Sequence, residues 1–511
     1  MAKIGVDFGT TNSLMVAYDK NSGEFNYFQK TRGKITPTSS TVYYHDNDVV
    51  VGNEARKKMS KFAGVDGYHF ERSIKLKLGM GKTINIFGKK VNPVDIASLI
   101  IKAIKPDEKE LDARGANVEI ENAVFTIPIN FTGEQREDLR KSAHKAGIEI
   151  TSFIHEPFAA IIGYYFSKED GDYRRVLKQL ESLNGQNLLT FDWGGGTLDI
   201  TVVKVENGKM IELGTAELTG VAGDKFDEDL ANYVWDKFKN RYAHKYSEEY
   251  IEKIKKDKWG LLLATAEKCK IDLSTCESVE YKVEMVTREE DIIEQISRTD
   301  FEKLIERTLI SASNKVRDAL YIAGIDSIDI QHVLLTGGTC YIPAVQEMMI
   351  KEYGHRVEKV KDADLVIAQG AAVINEMGWL PFLTKDIMIQ LSDNSYWPIF
   401  ESGLPISAGV PAKSYEEFVC TDSRNKRAKI IVCEGLNQKS DKMLTVLNVP
   451  ILGDNRFGDE IHVEAIIDEN IVLIVRAHSK MVKGYKQPEE EYSVRITKEV
   501  NQLCFGLDFK G

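Results

Sequence analysis

No apolar run in the 511 residues approaches the roughly 18 that cross a bilayer. The N-terminus enters Lys3-Ile4-Gly5-Val6-Asp7 without the long apolar stretch of a signal peptide. The chain is therefore expected to be neither embedded in a membrane nor exported by that route. Positive charge is in deficit, with a formal net charge of −11 and a pI near 5.5. The average field repels phosphate backbones and anionic lipid alike, which argues against nucleic acid and membrane surfaces as partners. Any phosphate has to be held in a local site. The six cysteines (Cys269, Cys276, Cys340, Cys420, Cys433 and Cys504) are scattered, with no Cys-x-x-Cys pair and no histidine at ligand spacing. That pattern disfavours structural zinc and a disulfide framework, and a reducing cytoplasm is the expected compartment.

What is present is the composition of a folded, soluble chain: 43% hydrophobic and 28% charged residues. Its length exceeds what one core serves, so two or more domains are expected. Up to about Met377 short β-branched runs alternate with helical patterns, the mark of α/β architecture. Asn122-Ala-Val-Phe-Thr-Ile-Pro128 and Asn187-Leu-Leu-Thr-Phe-Asp192 read as buried strands, and residues 133–146 and 300–323 as helices. Thr132 and Gln135 offer a capping box. After Trp379 the chain becomes β-rich, with runs at 428–433, 444–449, 461–467 and 471–475, which implies a small sandwich. The join, Lys385-Asp-Ile-Met-Ile-Gln-Leu391, reads as a strand or as an interdomain linker.

The first domain repeats itself. Ile4-Gly-Val-Asp-Phe-Gly-Thr10 is echoed by Leu189-Thr-Phe-Asp-Trp-Gly-Gly-Gly-Thr197, each a strand, an Asp and a glycine-rich turn. Glycines in Gly9-Thr-Thr-Asn12 and Gly194-Gly-Gly-Thr197 allow backbone N–H groups to approach phosphate oxygens with no Cβ in the way. The hydroxyls of Thr10, Thr11 and Thr197 add donors. Two carboxylates, Asp7 and Asp192, facing a triphosphate need a cation between them, so Mg²⁺ held largely through water is the natural inference. A single such turn is equally an ordinary hairpin; the second copy favours a site. Leu334-Leu-Thr-Gly-Gly-Thr339 is a third glycine signal. Neither a Walker lysine loop nor a dinucleotide Gly-x-Gly-x-x-Gly occurs at these places.

Six ordered segments carry a resemblance: residues 5–13, 125–131, 155–160, 191–199 and 266–270, and Gly337-Gly338 through Pro343. Together they resemble the DnaK-type heat-shock protein 70 family, strongly up to about residue 377 and more loosely beyond. The resemblance implies a two-lobed, actin-like ATPase domain over residues 1–381, a linker at 382–391 and a β-sandwich substrate-binding domain over 392–511. It implies an ATP-hydrolysing stress-response chaperone that holds unfolded or apolar peptide. Implied cofactors are ATP/ADP, Mg²⁺ and K⁺; implied partners include a J-domain cochaperone and a nucleotide-exchange factor.

The same resemblance assigns residues. Asp7, Gly9, Thr10, Thr11 and Asn12 would bind phosphates and metal from one lobe, and Asp192, Gly194, Gly195, Gly196, Thr197 and Asp199 from the other. Asp7, Asp192 and Asp199 form the implied metal set. Lys75, within Ser73-Ile-Lys-Leu-Lys77, would meet the γ-phosphate; without the resemblance it reads as a surface lysine. Glu156 would act through metal-bound water, so that Lys75, Glu156, Asp192 and Thr197 are the implied catalytic group. Pro128 and Arg136 would relay nucleotide state. Glu267, Lys270, Ser274, Gly337, Gly338 and Asp364 would enclose adenosine. Tyr341 stands where relatives carry an arginine that stacks on adenine, and an aromatic face can stack likewise.

The chain also departs from the family. Leu391 replaces the linker's acidic residue, and Ser152 replaces a basic residue that docks J-domains, which puts such docking in doubt. Residues 79–93 are short for the family, whereas the charged stretch 167–186 looks like an insertion forming a solvated loop or helix extension. Tyr492-Ser-Val-Arg-Ile-Thr497 looks like the last strand, and the tail after it is too short for a helical lid, as in a short form of the family. Two other functions compete: a nucleotide-sensing scaffold with one dedicated partner, and an actin-like filament protein or small-metabolite kinase.

Overall fold

The computed structural model describes the chain except residues 1–2, 29, 32–33, 64, 107–119, 121, 170–171, 359, 407–409, 422–426, 452–457, 481–494 and 511. It divides into two units. One comprises Met1–Ile129, Asp138–Ile150 and Ile154–Gly378; the other comprises Asn130–Glu137, Thr151–Phe153 and Trp379–Gly511.

The sequence echo is matched by the sheets of the first unit. Strands Asn122–Ile127, Ile4–Phe8, Asn12–Asp19 and Glu24–Tyr27 lie side by side in that order, the first pair parallel and the others antiparallel. Strands Ile330–Thr336, Asn187–Trp193, Thr197–Glu206 and Lys209–Thr219 repeat the order and the directions. In each half the hairpin that follows the central strand carries a glycine-rich turn. Ile4, Val6 and Phe8 are buried; being two apart, they share the apolar face of their strand, and Asp7 projects from the other.

One close approach fixes the floor between the halves. Helices Glu156–Lys168 and Val366–Met377 cross where a Cβ on Gly163 would fall 1.8 Å from the Val366 carbonyl oxygen. A Cβ on Gly370 would likewise fall 1.8 Å from the Ala159 carbonyl oxygen. Only glycine permits such contact, and it seats Glu156, the first residue of its helix, with Pro157 behind it. Within the stretch 167–186, a second helix, Tyr173–Ser182, is capped by Asp172 and buries Val176 and Leu180, so that part is packed helix and not a solvated loop.

The second unit contains two four-stranded sheets. One runs Tyr396–Phe400, Asp386–Gln390, Arg427–Leu436, Lys439–Pro450; the other runs Ala412–Val419, Glu460–Ile467, Leu473–Lys480, Ile496–Val500. The expected capping box forms: Thr132 N donates to Gln135 Oε1 at 2.8 Å and Gln135 N to Thr132 Oγ1 at 3.4 Å. The run expected as a linker at 382–391 departs from that expectation. Asp386–Gln390 is a central strand with neighbours on both edges, and Ile387, Met388 and Ile389 are all buried. Three successive apolar side chains suit a strand covered on both faces. The strand expected from Ile471 begins at Leu473, because Asp468 Oδ1 accepts from the N–H groups of Asn470 and Val472 and closes a turn with Ile471 at φ 57°. Of the expected last strand, residues 492–494 lie outside the described residues; the structure has Ile496–Val500 and then a further strand, Phe505–Asp508, antiparallel to Leu380–Leu383.

All six cysteines are free. Among the described residues no helix is long and apolar enough to cross a membrane.

Candidate functional site

The two glycine-rich turns of the first unit meet. A Cβ on Gly195 would lie 2.3 Å from Thr11 Oγ1, and one on Gly196 would lie 2.7 Å from Thr10 Cγ2. Glycine is thus what lets one turn rest against the other. Each is tied from behind: Ser40 Oγ donates to the Gly9 carbonyl at 2.8 Å and Ser40 N to the Thr11 carbonyl at 2.8 Å. Opposite, Gly194 N donates to the Thr197 carbonyl at 3.0 Å, and Thr339 Oγ1 donates to the Gly194 carbonyl at 2.8 Å. Trp193 is wedged between Phe191 and Phe226, with ring centroids 5.7 and 5.5 Å away, so the strand entering the second turn has little freedom. Among the described residues Thr11 Oγ1 is buried without a hydrogen-bond partner. Its free hydroxyl and the glycine backbones suit an oxygen-rich anion.

Below the turns lies a concentration of buried charge. Lys75 Nζ donates to Glu156 Oε1 at 2.6 Å, and both residues are buried. Asp7 is pushed up to about 7, by burial first and then by the charge of Glu156, while Lys75 and the Thr126 hydroxyl oppose the shift. Asp199 is pushed to about 7 by burial and Glu156, although Thr197 Oγ1 donates to it at 2.9 Å. Asp192 is driven well above the usual carboxylate range by burial and by Glu156, Asp199 and Asp7. Burial works against the Lys75 ammonium, but Glu156 and Asp7 outweigh it and raise its pKa. Four carboxylates therefore share one ammonium in a place where unpaired charge is costly. That donor set fits a divalent cation bridging to phosphate. Mg²⁺ takes one or two carboxylates and keeps several of its waters, which suits carboxylates gathered in this way.

The residues expected around adenosine fall into two groups. Lys270 Nζ lies 2.8 Å from Asp227 and donates to the Gly223 carbonyl at 2.9 Å, beside Gly195. Glu267, on the same helix, is paired with Arg56. Ser274 closes that helix, its hydroxyl donating to the Lys270 carbonyl at 3.4 Å. In the other group Gly337 sits at φ 82° over the Trp193 carbonyl, Gly338 faces open space, and Tyr341 is partly exposed. The Tyr341 hydroxyl donates to the Lys361 carbonyl at 3.3 Å and accepts from Ala363 N at 3.0 Å. Burial and the Asp362 charge raise Asp364. No hydrogen bond or ion pair among the described residues joins Glu267, Lys270 or Ser274 to Tyr341 or Asp364.

Some residues at this site were not expected from sequence. Arg72 pairs with Asp224 at 2.8 Å, and Arg56 with Glu267 across 211 positions of sequence. Arg72 adjoins Ser73-Ile-Lys75, which was the one local signal. Pro128 lines a chamber with Glu156, Asp192 and Asp199. In the second unit, Arg136 is buried and donates to the carbonyls of Phe131, Asn470, Ile471 and Asn501. Burial lowers its pKa to about 10. Ser152 is buried too.

Comparison with known proteins adds independent findings. The family model described as Hsp70 protein matches residues 68–503. The chain is similar to the chaperone protein DnaK of Mycoplasma mobile, 28% identical over 97% of this chain and 79% of that protein. It is similar also to the chaperone protein DnaK of Mycoplasmopsis synoviae, 26% identical over 97% of this chain and 80% of that protein.

Proposed function

This chain belongs to the Hsp70 family, whose members are ATP-dependent chaperones and ATPases, and from that premise we propose how its residues divide the work. It binds ATP and ADP, and it binds unfolded peptide. The observation that carries the residue assignment is the Lys75–Glu156 pair buried among Asp7, Asp192 and Asp199. A bound Mg²⁺ would supply neutralisation of the phosphate charge that moves during transfer to water. Asp7, Asp192 and Asp199 would hold such an ion through its water, and Glu156 would act on the same water while fixing Lys75. Lys75 meets the γ-phosphate, where its charge counts most in the transition state.

The turns Gly9 to Asn12 and Gly194 to Thr197 close on the phosphates from two sides, the Thr10, Thr11 and Thr197 hydroxyls donating. Glu267, Lys270 and Ser274 line the ribose and base on one side, and Gly337, Gly338, Tyr341 and Asp364 on the other. K⁺ is a second candidate ion at the phosphates. The β-sheets of the second unit hold apolar peptide segments, and Pro128 of the first unit and Arg136 of the second convey nucleotide state. Exchange factors and J-domain proteins are candidate regulators, the latter disfavoured by Ser152.

Steady-state ATP hydrolysis, with and without a panel of unrelated apolar peptides, tests this reading. The expected result is slow, Mg²⁺-dependent turnover that several peptides stimulate. Turnover that no peptide alters would instead favour a scaffold for one partner.

A further inference from the structure

The sheet face that carries Asp192 has two rows of polar side chains. Thr336, Asp192 and Asp199 are register neighbours on three adjacent strands, and Thr190, Thr201 and Thr215 form the next row. Residues two apart on a strand share a face, so both rows point the same way. Pro128, Glu156, Pro157 and Ala160 close a chamber over them.

A covered sheet face is normally apolar, and each hydroxyl buried there needs a partner. Three find one. Thr190 Oγ1 donates to the Thr201 carbonyl at 3.4 Å, the Thr201 and Thr215 hydroxyls are 3.2 Å apart, and Thr215 Oγ1 donates to the Ile200 carbonyl at 3.0 Å. Among the described residues Thr336 Oγ1 finds none, although Thr336 is 0% exposed. Its neighbour Asp192 leans toward the end of this strand: a Cβ on Gly337 would come 2.6 Å from Asp192 Oδ1. The chamber leaves room for about one water beside them.

We propose that this chamber holds an ordered water that accepts from Thr336 Oγ1 and donates to the Asp192 carboxylate. Thr336 is thereby a positioning residue for Asp192. The functional part rests on the role of Asp192 given above, but the water is observable without it.

Crystal structures of the full chain without nucleotide, as the parent and as Thr336→Ser and Thr336→Val, test the site. Density for a water within hydrogen-bond distance of the residue-336 hydroxyl is expected in the parent and the Ser variant and not in the Val variant. The unfolding midpoint of Thr336→Val should lie at or below that of the parent, because its buried water loses a partner. An unsatisfied hydroxyl would instead make the isosteric Val variant more stable. ATP turnover should fall about fivefold or more in Thr336→Val, with KM within about twofold, and recover in Thr336→Ser. A dry chamber in the parent, or a raised midpoint in Thr336→Val, overturns the water site. Full turnover in Thr336→Val with the water seen in the parent overturns the positioning role. Unchanged hydrolysis by Asp192→Asn would remove the wider reading while leaving the water in place. Should Thr336→Val fail to fold, the parent density alone decides.

Discussion

Lys75 and Glu156, 81 positions apart, form a 2.6 Å ion pair with both side chains buried. The pair is not an isolated strut, since Asp7, Asp192 and Asp199 all feel its charges. Removing the ammonium leaves four carboxylates with no cation among them in the nucleotide-free chain. Breaking a buried pair from one side costs about 3–5 kcal/mol. Lys75→Ala should therefore lower nucleotide-free stability by about that amount. It should also slow turnover about 10²-fold or more, the scale of losing a preorganised charge opposite developing negative charge. Nucleotide affinity should change far less. Calorimetric ADP titration beside single-turnover hydrolysis separates the two effects; equal losses in both would move Lys75 from the reaction to binding.

The same carboxylates make stability depend on pH. Asp7 and Asp199 stand near 7 in the folded chain against 3.8 for an ordinary aspartate. Between those values the unfolded chain has released protons that the folded chain keeps. The stability these groups contribute is thus full below about pH 4 and is lost as pH rises through about 7. Without metal or nucleotide, the unfolding midpoint should be lower at about pH 8 than at about pH 5. A bound cation inverts that logic, so Mg²⁺ with ADP should raise the midpoint more at the higher pH. Asp7→Asn with Asp199→Asn should flatten the slope. Scanning calorimetry at both values checks this, and equal increments from Mg²⁺ and ADP would contradict it.

Legibility followed how local each cause was. The turns at Gly9 and Gly194 could be read because an Asp at a strand end and a glycine-rich turn are short-range features, and their repetition carried through to strand order. Lys75 could not be placed by pattern: Ser73-Ile-Lys-Leu-Lys77 has the look of an exposed stretch, and its burial comes from residues far along the chain. Only the family resemblance singled it out. The run Lys385 to Leu391 shows the reverse, since its apolar pattern suggested a strand, the resemblance set that aside, and the strand is what forms. Thr336 and Thr190 gave no signal because threonine is an ordinary strand former. The pairing of Arg56 with Glu267 gave none because nothing local joins residues 211 positions apart. Phe505–Asp508 is four residues long with a glycine inside, too short to register as a strand by itself.

That central strand gives a prediction about the second unit. Ile389 is 1% exposed and its backbone pairs with Val432 on one side and Trp397 on the other. Truncation would leave a cavity in a covered sheet. Ile389→Ala should cost about 2–5 kcal/mol, and Ile389→Asp, which buries an unpaired charge, should unfold the β-rich unit. Far-UV circular dichroism and protease digestion would report that loss. A protease pattern like the parent's for Ile389→Asp would mean that residues 386–390 serve as an exposed tether instead.

Tyr341 offers the last test, because its two ends do different things. Its hydroxyl is held between the Lys361 carbonyl and Ala363 N, which keeps the side chain against the loop carrying Asp364. The residue as a whole is 39% exposed, which leaves side-chain surface for a flat partner. Stacking is worth about 0.5–1.5 kcal/mol beyond the area covered, or about 2- to 13-fold in affinity. Tyr341→Ala should weaken ADP binding by about that factor. Tyr341→Phe keeps the ring and releases only the loop, so it should stay within about twofold of the parent. Because an aromatic face reads no hydrogen-bonding edge, the ratio of ADP to GDP affinity should be nearly the same in parent and Ala variant. Calorimetric titration of both nucleotides against all three proteins gives the answer. Loss of ADP affinity in Tyr341→Phe as large as in Tyr341→Ala would assign the effect to the loop and remove the ring from the base site.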